Sequence, residues 1–517
     1  MQKYTLHRET SGQFSKLANT LMYNQEALSS LIRAPFSLAN CESQILLKKS
    51  NYSSENRKTL VSALKKQYDF LSPSSLVFQN IEKLAEENTF TVTTGHQLNI
   101  ASGPAYVIYK IIHCICLAEE LSKKYPSYSI LPVFWMATED HDIEEVNHTT
   151  IFGKEIRWNQ NQGGAVGKYE LAEWEKMKNE IATFFQNNPD SEILNLLNAY
   201  DGNTVAEATK TFYHKIFERF GLIVIEPNVP ELKSLFVAAM QKELKSPFVE
   251  QNVHIANEEI QRLGFTPQAF ARPINLFQLS KGKRERLLDS NDHLILSKIK
   301  ESPEAFSPNV MLRPAYQETI LPNLVYVGGG GEISYWIQQK GIFDELGLTF
   351  PLISVRNSIQ IIDATNLKKM DKLGITWVET FQSIQDIQRD FLAKNAGDEL
   401  DFSNIDEAFL KLSSNLSKQA NFFDQNMGKF VDAETNKLAK QLEMIKSKFT
   451  KQSKAQFELM MKQLEDLKTK LFPNQGLQER TESFFTFCKD GNFSAKMDLI
   501  KEMMDPFEKD LIVLLLD

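Results

Sequence analysis

The sequence predicts an α/β fold, a doubly wound parallel sheet with inserted connecting segments, followed by an α-helical coiled coil. Three observations predict it. A strand, loop, helix and strand succeed one another across Thr89–Ala137; a second strand, glycine loop and helix run from Leu324 to Leu346; and an apolar repeat of period 3.5 is sustained beyond Ile405. The chain has 517 residues, more than the roughly 250–300 at which single cores stop growing, so at least two structural parts are expected. We place a catalytic core at 1–380 with insertions at about 150–300, a coiled coil at 381–472, and a helical tail packing on the body at 473–517.

The elements follow in chain order. Met1–Ile81 mixes short helical patterns with Asn/Ser-rich turns and says little about chemistry. Thr89–Thr94 (TFTVTT) is β-rich and breaks at Gly95. Ser102 is expected to cap the next helix, with Pro104 in its first turn, where a missing N–H costs nothing. That helix runs to about Lys124, and its stripe Val107, Ile111, Cys114, Ala118 and Leu121 predicts burial; His113 shares the remaining face with Tyr106 and Lys110, a face expected to look at solvent. Tyr128–Ala137 is a near-continuous apolar run, as in a parallel strand covered on both faces. A right-handed βαβ crossover of this kind places ligands beyond the carboxyl ends of the strands, where Gly95 and Thr138–Asp142 fall.

From His148 to about Asp292 the pattern is mixed and reads as insertion; Leu324–Val327 then leads into Gly328–Gly331 and a helical pattern from Glu332. No proline occurs between Pro351 and Pro473, and Ile405, Phe409, Leu412, Leu416, Ala420, Phe423, Met427 and Phe430 begin the coiled-coil series. Breaks near Val431–Lys437 and Thr450–Gln456 leave open both an antiparallel hairpin and one long helix.

Bulk properties narrow the function. A formal charge of -8, from 58 Lys+Arg against 66 Asp+Glu, gives no global attraction to nucleic acid or to an anionic membrane. The N-terminal residues carry no apolar signal-peptide core and Leu511–Leu516 is too short to span a bilayer, so a cytoplasmic protein without membrane anchor is expected. Cys41, Cys114, Cys116 and Cys488 are too few and too scattered for a disulfide framework or a zinc site.

Chemistry concentrates in three clusters. The first is Thr94-Gly95-His96-Gln97 with Ser102-Gly103-Pro104 and, on the following helix, Lys110, a cation suited to a carboxylate or phosphate. Its spacing matches no standard nucleotide fingerprint, so an ordinary βα turn is an equally good reading. The second is Thr138-Glu139-Asp140-His141-Asp142, continuing to Glu144, Glu145 and His148; charge beside a buried strand is costly unless it is paired or binds something polar. Glu145-x-x-His148 has the spacing of half a carboxylate-bridged metal site, but matching ligands do not stand out, and no metal is assigned. The third is Gly328–Gly331 with Glu332, Tyr335 and Trp336; Glu332 at a helix start disfavours phosphate and suits an ammonium group, or it caps the helix. Upstream, Arg313 is a potential carboxylate clamp or a surface ion-pair partner.

Taken together, TTGHQ…SGPAYVIYK, PVFWMATEDHDIEEVNH, FSPNVMLRPAYQETILPNLVYVGGGGEISYW and FPNQGLQER resemble, in order, the landmarks of the bacillithiol biosynthesis cysteine-adding enzyme family. The resemblance implies a Rossmann-like core related in architecture to class I aminoacyl-tRNA synthetases and a coiled coil that mediates homodimerisation. It also implies a ligase joining the carboxyl of cysteine to the glucosamine amine of glucosamine malate, with ATP as co-substrate for carboxyl activation and no tightly bound cofactor. The synthetase lysine-serine signature is absent; Ser280-Lys281-Gly282-Lys283 is a weak echo of it.

Carried over, the substrate-binding residues are Gly95, Gln97, Gly103, Lys110, Arg313, Glu332 and Trp336, to which His96, Gly328 and Gly329 are added from the same loops, and the catalytic ones are His141, Asp140 and Asp142. His141, oriented by Asp140 or Asp142, is the expected general base. Two other classes stand beside this: a metal-dependent hydrolase using Asp140, His141, Asp142 and His148, and a non-enzymatic coiled-coil scaffold carrying a metabolite-binding body. Polar residues gathered at strand ends rather than along the coiled coil favour the ligase.

Overall fold

β-Branched and aromatic residues fill the central strand β1 (Thr89–His96) and its neighbour β2 (Ser129–Met136), and every one of their side chains but those of Ser129 and His96 is buried. A computed structural model describes residues 2–188, 190–288, 293–395 and 400–516. The chain divides into two compact units: one of Lys3–Gln360 with Gly476–Val513, the other of Met1–Gln2, Ile361–Gln475 and Leu514–Asp517.

The larger unit is built on a five-stranded sheet in which β3 (Ile223–Ile225), β4 (Asn323–Gly328) and β5 (Leu352–Val355) join the first two. All pairings are parallel and the order is β3-β2-β1-β4-β5. The order reverses between β1 and β4, so the crossovers leave those two strands in opposite directions and a crevice opens beyond their carboxyl ends. The register sets Thr94 beside Val327 and Gly95 beside Trp135. The crossover helix α1 (Tyr106–Lys124) places Cys114, Leu117, Ala118 and Leu121 in one core with Phe90, Val92, Ile130 and Leu324. Such burial is worth about 1.5–3 kcal/mol per large apolar side chain.

The start of α1 differs from the expectation. Ala105, not Ser102, stands at the N-cap, and it makes no side-chain cap bond. Ser102 lies in a 3₁₀ turn with φ +68°, followed by Gly103 at φ +55°, where an added Cβ would meet Asn99 Cβ at 2.5 Å. This turn folds the chain tightly before α1, so Gly103 serves the backbone. His113 is also corrected: it is fully buried, with Nδ1 paired to Asn357 Oδ1 at 2.7 Å and Nε2 to Ser354 Oγ at 3.2 Å.

Long insertions separate the strands. Between β2 and β3 lies the hairpin His148–Ile151 with Lys154–Arg157; between β3 and β4 lies a small antiparallel sheet of Lys283–Arg286, Leu276–Ser280 and Phe306–Pro308. Gly476–Val513 belongs to this same unit, and its helix Phe493–Met503 gives way to a buried strand, Leu511–Leu515, where a helical tail was expected. A run of five consecutive apolar residues has no polar face, which suits a covered strand better than a surface helix.

In the second unit, α3 (Ser403–Asn421) and α4 (Gln425–Gln456) form an antiparallel hairpin, followed by α5 (Glu458–Leu471). Ser417 Oγ donates to Asp432 Oδ1 at 3.0 Å near the turn, and Lys446 pairs with Asp406 near the other end. The turn falls at Phe422–Asp424, not at either of the two breaks in the repeat. Leu412, Leu416, Met427, Phe430, Leu438 and Ile445 remain exposed along it. No helix among the described residues is long and apolar enough to cross a membrane. All four cysteines are buried and unbridged.

Candidate active site

A cavity of about 910 Å³ opens at the crevice between β1 and β4. Gly95, His96 and Gln97 enter it from the end of β1, Glu139 and Asp140 from the end of β2, and Gly329 to Glu332 from the loop after β4. Strand ends supply backbone that is no longer needed by the ladder, and the sheet holds it rigidly.

The two glycine loops are tied together by charge. Lys110, projecting from α1, donates to the Gly95 carbonyl at 2.5 Å and pairs with the Glu332 carboxylate. Glu332 also accepts from Tyr326 Oη at 2.5 Å and from the Gly329 N–H at 3.2 Å, which completes the start of α2 (Gly330–Trp336). Burial alone would raise the Glu332 pKa, but the Lys110 charge and these bonds outweigh it and hold the carboxyl below its usual range. Both partners are thereby committed to one another. Glu332 is a capping and bridging carboxylate rather than a free site for an ammonium group, and Lys110 is no free anion clamp. Gly330 lets the loop press on the N-terminal segment, since a Cβ there would meet Ala18 Cβ at 2.8 Å.

His96 is enclosed between these loops, its Nε2 3.2 Å from Tyr106 Oη. Burial and the neighbouring Lys110 depress its pKa to about 3, so the ring is neutral near pH 7.

Asp140 is the exposed-facing carboxylate of the cavity. Its Oδ2 accepts from Gln97 Nε2 at 2.8 Å and its Oδ1 from the His141 N–H at 2.8 Å, with Arg284 Nη1 at 3.7 Å. Burial pushes its pKa up, yet Arg284, the His141 amide and Arg313 prevail and keep it lowered. Nearby Glu145 is shifted the other way, chiefly by burial.

His141 does not line the cavity. Its Nδ1 stands 2.9 Å from Arg284 Nη1 and 3.4 Å from Asp140 Oδ1, so the expected orienting carboxylate is beside it while Arg284 competes for the same nitrogen. Asp142 is exposed on the short helix start beside it, outside the lining as well. Nor do Gly103, Gly328 and Trp336 reach the cavity: Trp336 is buried and stacks on Tyr326 with ring centroids 3.9 Å apart. It supports the loop from beneath. No group of three or more His, Cys, Asp or Glu side chains among the described residues is placed to hold a metal ion.

Arginine is what the sequence reading underestimated. Arg313 lines the cavity as expected; its only hydrogen bond among the described residues is to Tyr335 Oη at 3.3 Å, and it forms no ion pair there. Arg284, Arg286 and Arg272 line it too, with Arg284 at 4.0 Å and Arg286 at 5.4 Å from the Phe277 ring centroid. Arg284 and Arg286 follow the Ser280–Lys283 turn that looked like a weak signature, and Arg272 precedes it. Arg356 follows β5, and so obeys the same strand-end rule that located Gly95. Arg8 and Arg480 complete the lining from opposite ends of the chain, where no local signal marks them.

A family model described as the N-terminal Rossmann-like domain of bacillithiol biosynthesis BshC matches residues 1–357, and one described as the C-terminal coiled-coil domain of BshC matches residues 359–515. Relatives named as candidate cysteine ligase BshC align almost end to end. The protein of Flavobacterium johnsoniae is 36% identical over 98% of each chain, and that of Cytophaga hutchinsonii 34% identical over 96% of each. The one from Bacillus thuringiensis is 26% identical over 75% of this chain and 78% of its own. The crystal structure of Plasmodium falciparum tryptophanyl-tRNA synthetase aligns over 83% of this chain and 96% of that one with 11% identity and a TM-score of 0.20, too low to imply a shared fold.

Proposed function

From the premise that this chain belongs to the bacillithiol biosynthesis BshC family, we propose that its cavity joins the carboxyl of free cysteine to the glucosamine amine of glucosamine malate. The observation that carries this is the presence in one cavity of an ionised carboxylate, Asp140, and of two arginines, Arg313 and Arg286, that form no ion pair among the described residues. Asp140 suits an amine. Arg313 and Arg286 suit the carboxylates of malate, which a guanidinium fork binds in two parallel hydrogen bonds.

Amide formation in water needs an activated carboxyl. With ATP, the cysteine carboxylate displaces pyrophosphate to give an acyl adenylate; the amine then displaces AMP and releases one proton. Asp140 orients the amine through a charge-assisted bond, and Glu145, whose raised pKa makes it the better acceptor, takes the proton. Neutral His96 keeps the floor of the cavity polar without adding repulsion toward the incoming amine.

The exposed apolar stripe of the helical hairpin, Leu412, Leu416 and Ile445 among it, supports a homodimer through the coiled coil. The reaction is tested by incubating the purified protein with glucosamine malate, cysteine and ATP and weighing the thiol product by mass spectrometry. No product with all three substrates present, in the intact dimer, defeats the reading.

A further inference from the structure

Three guanidinium groups come together where the N-terminal segment covers the glycine loop. Arg8 lies 4.5 Å and Arg480 5.5 Å from the Phe14 ring centroid, and Arg8 Nη2 donates to the Arg356 carbonyl at 3.0 Å. All three line the cavity. One carboxylate answers them: Glu479 accepts from Arg356 Nη2 at 2.8 Å, while its other oxygen takes the Ile359 N–H at 3.0 Å. Asp510, which also acts on Arg8, is bound by Tyr23 Oη at 2.6 Å.

Arg356 is 7% exposed, and its Nε has no hydrogen-bond partner among the described residues. That atom lies 3.9 Å from where a Cβ on Gly329 would stand, so it faces the glycine loop. Buried N–H groups are rarely left unpaired, and a buried surplus of positive charge is costly without a compensating anion. Burial and the repulsion from Arg356 already lower the Arg8 pKa to about 10. An anion held among these groups would supply both an acceptor for the Arg356 Nε and the compensating charge.

We propose that Arg8, Arg356 and Arg480 form a subsite for a dianionic tetrahedral oxyanion, a phosphoryl group, distinct from the carboxylate-binding arginines Arg313 and Arg286. A planar carboxylate carries one charge and is satisfied by one guanidinium fork. Here three guanidinium groups arrive from three separate segments of chain against a single directly bound carboxylate, an excess that a dianion matches and a monoanion does not. The source of the phosphoryl group rests on the ligase reading, with pyrophosphate as the leaving group it would hold; the anion site itself does not.

The test is calorimetric titration of the full chain at fixed ionic strength with inorganic pyrophosphate and, separately, with malate. Pyrophosphate is expected to bind, and Arg480→Gln to weaken it about tenfold and Arg480→Glu further, with malate affinity changed less than about twofold. Arg480 is exposed at the rim, so both variants are expected to fold, which an unchanged Tm without ligand verifies. Arg313→Gln should do the converse. Failure of pyrophosphate to bind, indifference to both Arg480 variants, or equal losses for malate and pyrophosphate would overturn the subsite. Absence of malate binding to the wild type, with pyrophosphate behaving as expected, would instead remove the assignment of Arg313 and Arg286 to the malate carboxylates and leave the subsite standing.

Discussion

Lys110 and Glu332, 222 residues apart in the chain, meet as an ion pair that fastens the loop after β1 to the loop after β4. The Lys110 side chain is 1% exposed and that of Glu332 19%, so the ammonium has no water to fall back on. Glu332→Gln leaves the Lys110 ammonium buried without its counter-ion and is expected to cost about 3–5 kcal/mol. Urea unfolding reads that loss, and a change under about 1 kcal/mol would show that water or another group replaces the carboxylate.

His96 gives a pH signature. Its pKa is lowered to about 3 in the fold from an ordinary value of 6.5, so between those values the unfolded chain binds the proton and the folded chain does not. The contribution is fully present above pH 6.5 and is lost as pH falls toward 3. His96→Gln is expected to flatten the stability-pH slope between pH 6 and 5, by at most about 1.4 kcal/mol per pH unit. The slope that remains includes His113, lowered to about 4 by burial. Urea midpoints at pH 7, 6 and 5 measure it.

Asp140 and His141 are neighbours with opposite expectations. Asp140→Asn removes the carboxylate proposed to meet the amine and should reduce kcat/KM by about 10²–10⁴. His141→Ala loses one hydrogen bond with Arg284, worth about 1 kcal/mol, and should cost less than roughly tenfold. Equal losses in the two variants, measured by product formation, would return the base to His141.

Trp336 packs under the glycine loop without touching the cavity. Trp336→Ala should therefore lower stability by about 3–5 kcal/mol while KM for each of the three substrates, measured well below the new Tm, stays close to wild type. A selective rise in KM with stability intact would place the indole in contact with substrate.

The hairpin exposes Leu416 and Ile445, at 39% and 53%. Replacing both by Asp should shift the sedimentation coefficient from dimer to monomer without loss of helical signal. Sedimentation unchanged by the double variant would place any dimer contact elsewhere.

Much of the sheet was legible because β2 and β4 are near-continuous apolar runs and β1 is rich in β-branched residues, each ended by glycine or by charge. The segment Thr89–His148 betrayed itself by periodicity. The hairpin was legible as a coiled coil but its turn was not, since Phe422 and Phe423 continue the apolar repeat through the bend. A histidine beside two aspartates reads as a base in the sequence, and only the fold shows Arg284, 143 residues later in the chain, 2.9 Å from its Nδ1. Arg8 and Arg480 carry no local mark at all. Their meaning arises from a closure of the chain ends that no window of sequence contains.

The burial of Cys41, Cys114, Cys116 and Cys488 has its own consequence. Burial pushes the thiols of Cys41, Cys114 and Cys116 up to about 12 and that of Cys488 higher still, so none offers a thiolate near neutral pH. A catalyst that hands over a sulfur-bearing amino acid thus keeps its own sulfur mute. Mixed disulfides between the protein and a small thiol are thereby disfavoured at these four positions while the chain stays folded.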